Sequence, residues 1–217
     1  MGNLKLPQLQ LLVSDLGRFD GIFAPTAFNE LDFDLDFAGG KLNLVSADHC
    51  EGKVVYWPAK VAAMVPFKWD DYHITVPVTV DGQSMIAILD TGANISFMNT
   101  DTAQHKFALI PDSPDMKAVG HLGDNQKAVI YQHAFKSLLF GGISVDNPHI
   151  AILKDVMNAN ADHRFQTGSI IRKASDSLTL PQVTIGMDVL SKLHVYLALE
   201  EKRVYLTEAS APATTPP

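Results

Sequence analysis

Ile86-Ala87-Ile88-Leu89-Asp90-Thr91-Gly92-Ala93 is an apolar run that ends abruptly in a carboxylate, a hydroxyl and a glycine. A carboxylate at the mouth of a hydrophobic strand is costly, because burial disfavours its charged form, and it persists where a function requires it. The Thr-Gly that follows predicts a tight turn aiming the Asp90 carboxylate outward. That arrangement suits an acid or base that activates water. Asp-Thr-Gly occurs once in the 217 residues, so the chain supplies one such carboxylate.

The segments around it alternate like half-buried strands. Ile74, Val76, Val78 and Val80 are interleaved with polar residues, and Asp81-Gly82 predicts a two-residue hairpin turn into Met85–Leu89. Pro77 has no N–H to give to a ladder, which predicts an edge or a bulge there. Near the end, Val195, Leu197 and Leu199 alternate, Glu200–Lys202 turns the chain, and Val204 and Leu206 resume the pattern. A short helix is predicted at Asp188–Leu193. The chain therefore reads as all-β with one or two short helices.

Bulk properties narrow the function classes. A hydrophobic content of 47% with 19% charged residues is enough for a buried core. A net charge of −7 and no Lys/Arg cluster argue against a nucleic-acid surface. Cys50 is alone, which excludes an intramolecular disulfide and leaves the redox compartment open. No apolar stretch approaches the length of a membrane span, and Met1-Gly-Asn-Leu-Lys does not open like a secretory signal. His105, His121, His133, His149, His163 and His194 lack ligand-like spacing, so neither metal nor cofactor is expected. Asp48-His49-Cys50 sets a base beside a thiol, but sequence neighbours rarely face each other, and a structural role is expected. Asp32, Asp34 and Asp36 alternate with Phe33, Leu35 and Phe37, which predicts carboxylates on a solvated strand face.

An internal repeat is the second strong signal. Shifted by 162 positions, Phe23–Leu44 lies on Ile185–Leu206 without a gap: Phe28 meets Leu190, Phe33 meets Val195, Leu35 meets Leu197 and Leu44 meets Leu206. A second offset of 139 pairs Leu4, Leu6, Leu11 and Val13 with Ile143, Val145, Ile150 and Ile152. Chance similarity of two amphipathic hairpins is the competing explanation. If the repeat is real, residues 1–47 form the back half of a unit whose complete copy is residues 73–208. Residues 48–72, with Gly52, Pro58, Pro66 and two tryptophans, read as a connector, and the Ala/Pro/Thr-rich 209–217 as a disordered tail.

Residues 73–207 resemble a retropepsin-like aspartic peptidase lobe of the bacterial aspartyl protease type. Three elements carry the resemblance in order: the strand pair ending in Asp90-Thr91-Gly92-Ala93, the segment Val119-Gly120-His121-Leu122-Gly123 in the place of the family's flap, and Ile185-Gly186-Met187-Asp188-Val189-Leu190. The resemblance implies a closed β-barrel (acid protease) lobe and an aspartic endopeptidase that hydrolyses peptides or proteins. Asp90 would be catalytic, with Thr91, Gly92, Ala93 and Gly186 supporting its loop. Gly120, His121, Leu122 and Gly123 would form a flap over the substrate. Each has a plainer reading: Asp90 as a turn residue, Gly120–Gly123 as an ordinary hairpin tip, Asp188 as a helix N-terminal residue.

The implied mechanism needs two facing aspartates that share one proton. One lobe supplies half, so the partner is a homodimer mate or a lobe upstream of this sequence. The half-repeat departs from the family pattern, with Ala24 at the position matching Gly186 and Thr26 at that matching Asp188, and none of its aspartates lies in an Asp-Thr/Ser-Gly context. Two functions follow: an aspartic endopeptidase, or a non-catalytic peptide-binding or scaffolding domain that keeps the fold. The compartment is left open, periplasmic or secreted if a signal lies upstream and cytoplasmic otherwise.

Overall fold

A computed structural model describes residues 25–28, 31–70, 73–111, 113–122, 128–153 and 181–209. Gly123, the 4–13 half of the 139-residue offset and the tail from 210 lie outside them. The described chain forms two sheets. Ten strands make the larger one: β4 (Lys68–Asp70), β5 (His73–Val80), β6 (Gln83–Leu89), β7 (Phe97–Asn99), β8 (Lys117–Leu122), β9 (Ala128–Ala134), β10 (Ser137–Phe140), β11 (Ile143–Asp146), β12 (His149–Leu153) and β13 (Val183–Ile185). The smaller runs in the order β2 (Lys41–Ser46), β1 (Leu31–Asp36), β14 (Leu193–Ala198), β15 (Arg203–Glu208), β3 (Ala62–Pro66).

The hairpin turn forms as the sequence predicts, with Asp81 at φ 44° and Gly82 at φ 81°. Both are left-handed, which matches the twist of flanking strands. Pro77 falls where β5 has a partner on one side only, between the β4 pairing that ends at Thr75 and the β10 pairing that begins at Thr79. A ring without an N–H costs nothing there. The expected closed barrel is not seen: among the described residues the ladder runs from β11 to β8 and does not join its ends.

Two α-helices accompany the strands. α1 (Thr100–Phe107) starts at Asn99, whose side chain accepts from Thr102 N–H at 2.7 Å. α2 (Met187–Leu190) is shorter than the predicted Asp188–Leu193, because Leu193 is drawn into β14 and buried. One hydrophobic core spans both sheets, with Val76, Phe140, Ile185, Leu190, Val204 and Leu206 among its members.

The 162-residue offset carries element onto element. The 3-10 turn Pro25–Phe28 corresponds to α2, β1 to β14 and β2 to β15, with identical bounds. β1 and β14 then pair antiparallel at the centre of the small sheet.

Asp32 and Asp34 correct the expectation of a solvated face, being 0% and 1% exposed. Phe33 turns to the core, and the opposite face, which alternation alone would leave wet, is roofed by the segment after β2. Trp57 from that segment stacks on His194 at 3.9 Å and 7°, and its indole N–H donates to Thr207 Oγ1 at 2.9 Å. Asp34 accepts from Tyr56 and from Asn43 at 2.8 Å, and lies 2.5 Å from His194 Nε2. Asp32 accepts from Leu199 N–H at 2.8 Å and Tyr196 O–H at 3.2 Å, and lies 2.6 Å from His49 Nε2. His49 therefore pairs with Asp32, while Cys50 is exposed. Trp69, the other tryptophan of the connector, packs edge-on to Phe67 but stays exposed.

Burial alone would push the Asp34 carboxyl up, but its bonds to Tyr56, Asn43 and His194 hold it below its ordinary value. The bond to Asp32 raises His49 above its ordinary value. Asp34 thus stabilises the fold above the usual carboxylate range and loses that contribution as pH falls through its depressed folded value. His49 contributes fully below the usual imidazole value and loses it as pH rises through the raised folded one. Urea unfolding is expected to show greatest stability between these limits, with His49→Gln flattening only the alkaline limb. Asp34→Ala leaves His194 buried without its acceptor and is expected to cost on the order of 3–5 kcal/mol in the same measurement.

Candidate active site

Asp90 leaves the end of β6, and the chain returns to the same sheet seven residues later as β7. Between these strands lies β13, parallel to β6 and antiparallel to β7. The loop from Asp90 to Ser96 must therefore cross the end of β13, where Gly186 emerges. A Cβ on Gly186 would stand 2.6 Å from the Ile95 carbonyl carbon and oxygen and 2.7 Å from the Ala93 carbonyl oxygen. Any side chain would push the loop off the sheet.

Main-chain bonds close the crossing. Asp90 N–H donates to the Ile185 carbonyl at 3.0 Å, and Met187 N–H donates to the Ala93 carbonyl at 2.8 Å. Asp188 N–H reaches the Asn94 carbonyl at 3.2 Å. Within the loop, Gly92 N–H donates to Asp90 Oδ1 at 2.8 Å, fixing one carboxylate oxygen. A Cβ on Gly92 would sit 3.1 Å from that oxygen, so glycine gives the carboxylate its space.

Ser96 locks the arrangement. It is fully buried, its Oγ accepts from Gly186 N–H at 3.0 Å, and its hydroxyl donates to Asp188 Oδ1 at 2.6 Å. Asp188 is thereby engaged in bracing the loop. Ser96 was missed by sequence reasoning. Its one signal is a small hydroxyl between Ile95 and Phe97, and its partner stands 92 positions away.

The loop presents a half-buried Asp90 beside exposed Thr91 and Gly92, with Ala93 buried beneath. Gly120 and His121 lie in β8, paired with Ile130 and Val129 of β9, and Leu122 ends the strand. The register slips between Ala118 and Gly120, a bulge that twists this hairpin. β9 joins β12, and β12 joins β7, so the hairpin grows from the sheet that receives the Asp90 loop.

Residues 76–189 match the model of the aspartyl protease family, just over half of the chain. The chain belongs to that family. Its architecture is all-β, with two short α-helices among the described residues. Among solved structures, it is similar to a retropepsin-like aspartic protease from Rickettsia conorii, at 13% identity over 70% of this chain and 96% of that one, with a TM-score of 0.43. It is also similar to the retroviral protease-like domain of Ddi1 from Leishmania major, at 16% identity over 65% and 97% of the two chains, with a TM-score of 0.38. No curated protein sequence matches.

Gly186→Ala is expected to destabilise the protein by about 1–3 kcal/mol through overpacking against backbone. Ser96→Ala is expected to cost about 1–3 kcal/mol by leaving the Gly186 N–H buried and unpaired. Thermal unfolding of both variants checks the pair, and Asp188→Asn, which retains an acceptor for Ser96, should lose less than either.

Proposed function

We propose that the chain is one catalytic half of an aspartic endopeptidase. The observation that supports this most directly is the Asp90 loop: a carboxylate at a strand end, with one oxygen held by Gly92 N–H and the loop pinned over β13 by Gly186, Ser96 and Asp188. Catalysis gains from a reactive group held in fixed geometry.

In this reading Asp90 meets an equivalent aspartate from a second lobe, and the two share one proton because like charges at close range do not both ionise. The charged member takes a proton from a bound water, which attacks the scissile carbonyl. The protonated member donates to the carbonyl oxygen as the tetrahedral intermediate forms. The proton taken from water then passes to the leaving amine while a hydroxyl of the intermediate returns its proton to the other aspartate, restoring the shared proton, and no bond to the enzyme is made. Thr91 braces the two loops across their interface. The β8–β9 hairpin, with Gly120, His121 and Leu122, lies over an extended peptide and pairs with its backbone.

A second reading, peptide binding without cleavage, draws on the single Asp-Thr-Gly in the chain and on β14 already being paired with β1. Cleavage of a mixed peptide library by wild type and Asp90→Asn separates the two. Hydrolysis is expected to fall by about 100- to 10,000-fold in the variant with its fold intact, and the wild-type pH–rate profile is expected to be bell-shaped. Equal hydrolysis by the two proteins removes the peptidase reading.

A further inference from the structure

Residues 47–57, which roof the outer face of the small sheet, are held at their two ends by different chemistry. At the far end the indole N–H of Trp57 donates to Thr207 Oγ1 at 2.9 Å, its ring lies on His194, and Tyr56 donates to Asp34. Thr207 carries no titrating group, and burial, with the Asp34 bond, pushes the Tyr56 hydroxyl up to about 12. Neither donor changes state near neutral pH.

At the near end the hold is one imidazole. His49 Nε2 lies 2.6 Å from Asp32 Oδ2 of β1, and Nδ1 faces Glu201 Oε1, in the turn between β14 and β15, at 3.5 Å. Glu201 Oε1 also accepts from Gly52 N–H at 3.2 Å, and its Oε2 accepts from Tyr205 O–H at 2.5 Å. The titratable and charged groups around the ring are thus Asp32 from β1, Tyr196 from β14, and Glu201 with Tyr205 behind it. Within the segment its neighbours are Asp48, Cys50 and Glu51, and Arg203 Nη2 stands 3.4 Å from Glu51.

A neutral imidazole carries one N–H, and an imidazolium carries two. Two carboxylates from different elements stand against this one ring, so the imidazolium alone presents a donor to both. Once the ring is neutral, its remaining proton stays with Asp32, which is the nearer and fully buried. The Nδ1 lone pair then opposes the Glu201 carboxylate. Nδ1 is buried and makes no hydrogen bond among the described residues, so no other donor relieves that opposition.

We propose that His49 is a proton-operated latch: the imidazolium clamps residues 48–53 between Asp32 and Glu201, and loss of its proton frees this end of the roof while Trp57 keeps the other in place. Opening uncovers the Asp32 carboxylate and the Tyr196 phenol, both otherwise buried. The inference is independent of the reading of Asp90. The Asp32 bond first, with the charge of Glu201 adding to it, raises His49 above its ordinary value. The closed latch is therefore fully favoured below the ordinary imidazole value and loses that advantage as pH rises through the raised one. Between the two values opening releases one proton, so the open fraction grows by up to about tenfold per pH unit.

The test is hydrogen exchange of the full chain followed by NMR, each rate divided by the intrinsic rate at the same pH. Gly52 N–H, which donates to Glu201, and Leu199 N–H, which donates to Asp32, report the latch, and the Trp57 indole N–H reports the far end. Opening at Gly52 and Leu199 is expected to rise above the ordinary imidazole value by up to about tenfold per pH unit and then level off, with the Trp57 indole unchanged. His49→Gln, whose amide still donates to Asp32 but does not titrate, is expected to abolish the rise. In Glu201→Gln, read at Leu199, one of the two carboxylates is gone and the rise is expected to level off at a lower pH. Opening that is independent of pH in the wild type overturns the proposal, as does the same rise in His49→Gln or an unmoved plateau in Glu201→Gln. So does a Trp57 indole that opens in step with Gly52, which would make the whole roof the moving part.

Discussion

The missing side chain of Gly186 is the constraint on which the candidate site depends. Three strands and a loop meet at that point, and the Asp90 loop crosses the end of β13 at a backbone separation that leaves no room for a Cβ. Close approach alone would leave polar groups stranded, because a crossing loop cannot join the ladder it passes over. The hydroxyl of Ser96 resolves this by accepting from Gly186 N–H and donating to Asp188. A single buried atom thus ties together β7, β13 and α2, and Asp90 inherits its position from the set.

The small sheet solves a different problem. Its inner strands β1, β14 and β15 are covered on both faces, by the shared core on one side and by the segment carrying His49, Tyr56 and Trp57 on the other. Carboxylates on the second face are deeply buried, and each is compensated by an imidazole, a phenol or an amide within hydrogen-bonding distance. Breaking one partner of such a network costs far more than its net stabilisation, since the penalty is that of an unanswered buried charge.

Much of this was legible in sequence, and the divide follows range. Asp81-Gly82 dictates its turn by backbone conformation, and the apolar run before Asp-Thr-Gly places the carboxylate of the candidate site at a strand end. The 162-residue offset carries turn onto short helix and strand onto strand with identical bounds, although the short helix itself ends before the predicted Leu193. Alternation misled at Asp32 and Asp34, because period two reports which residues share a face and says nothing about what later covers it. Ser96 and the bond from Asp188 escaped because their meaning comes from a partner 92 positions distant. The open ladder, in place of a closed barrel, is likewise set by which strand ends meet in space.

The polar seam between β1 and β14 fixes which strands pair and in which register. An apolar seam of the same shape would be as stable or more so, since buried charges repay their desolvation poorly. What it would lack is a preference between partners and between registers. A slip of one residue would turn Asp32 and Asp34 into the core and Phe33 out of it, removing each carboxylate from its imidazole or phenol. Substituting the second copy for the first would remove the carboxylates altogether. The two strands are complementary, acid on one and base on the other, and complementary strands do not pair with themselves.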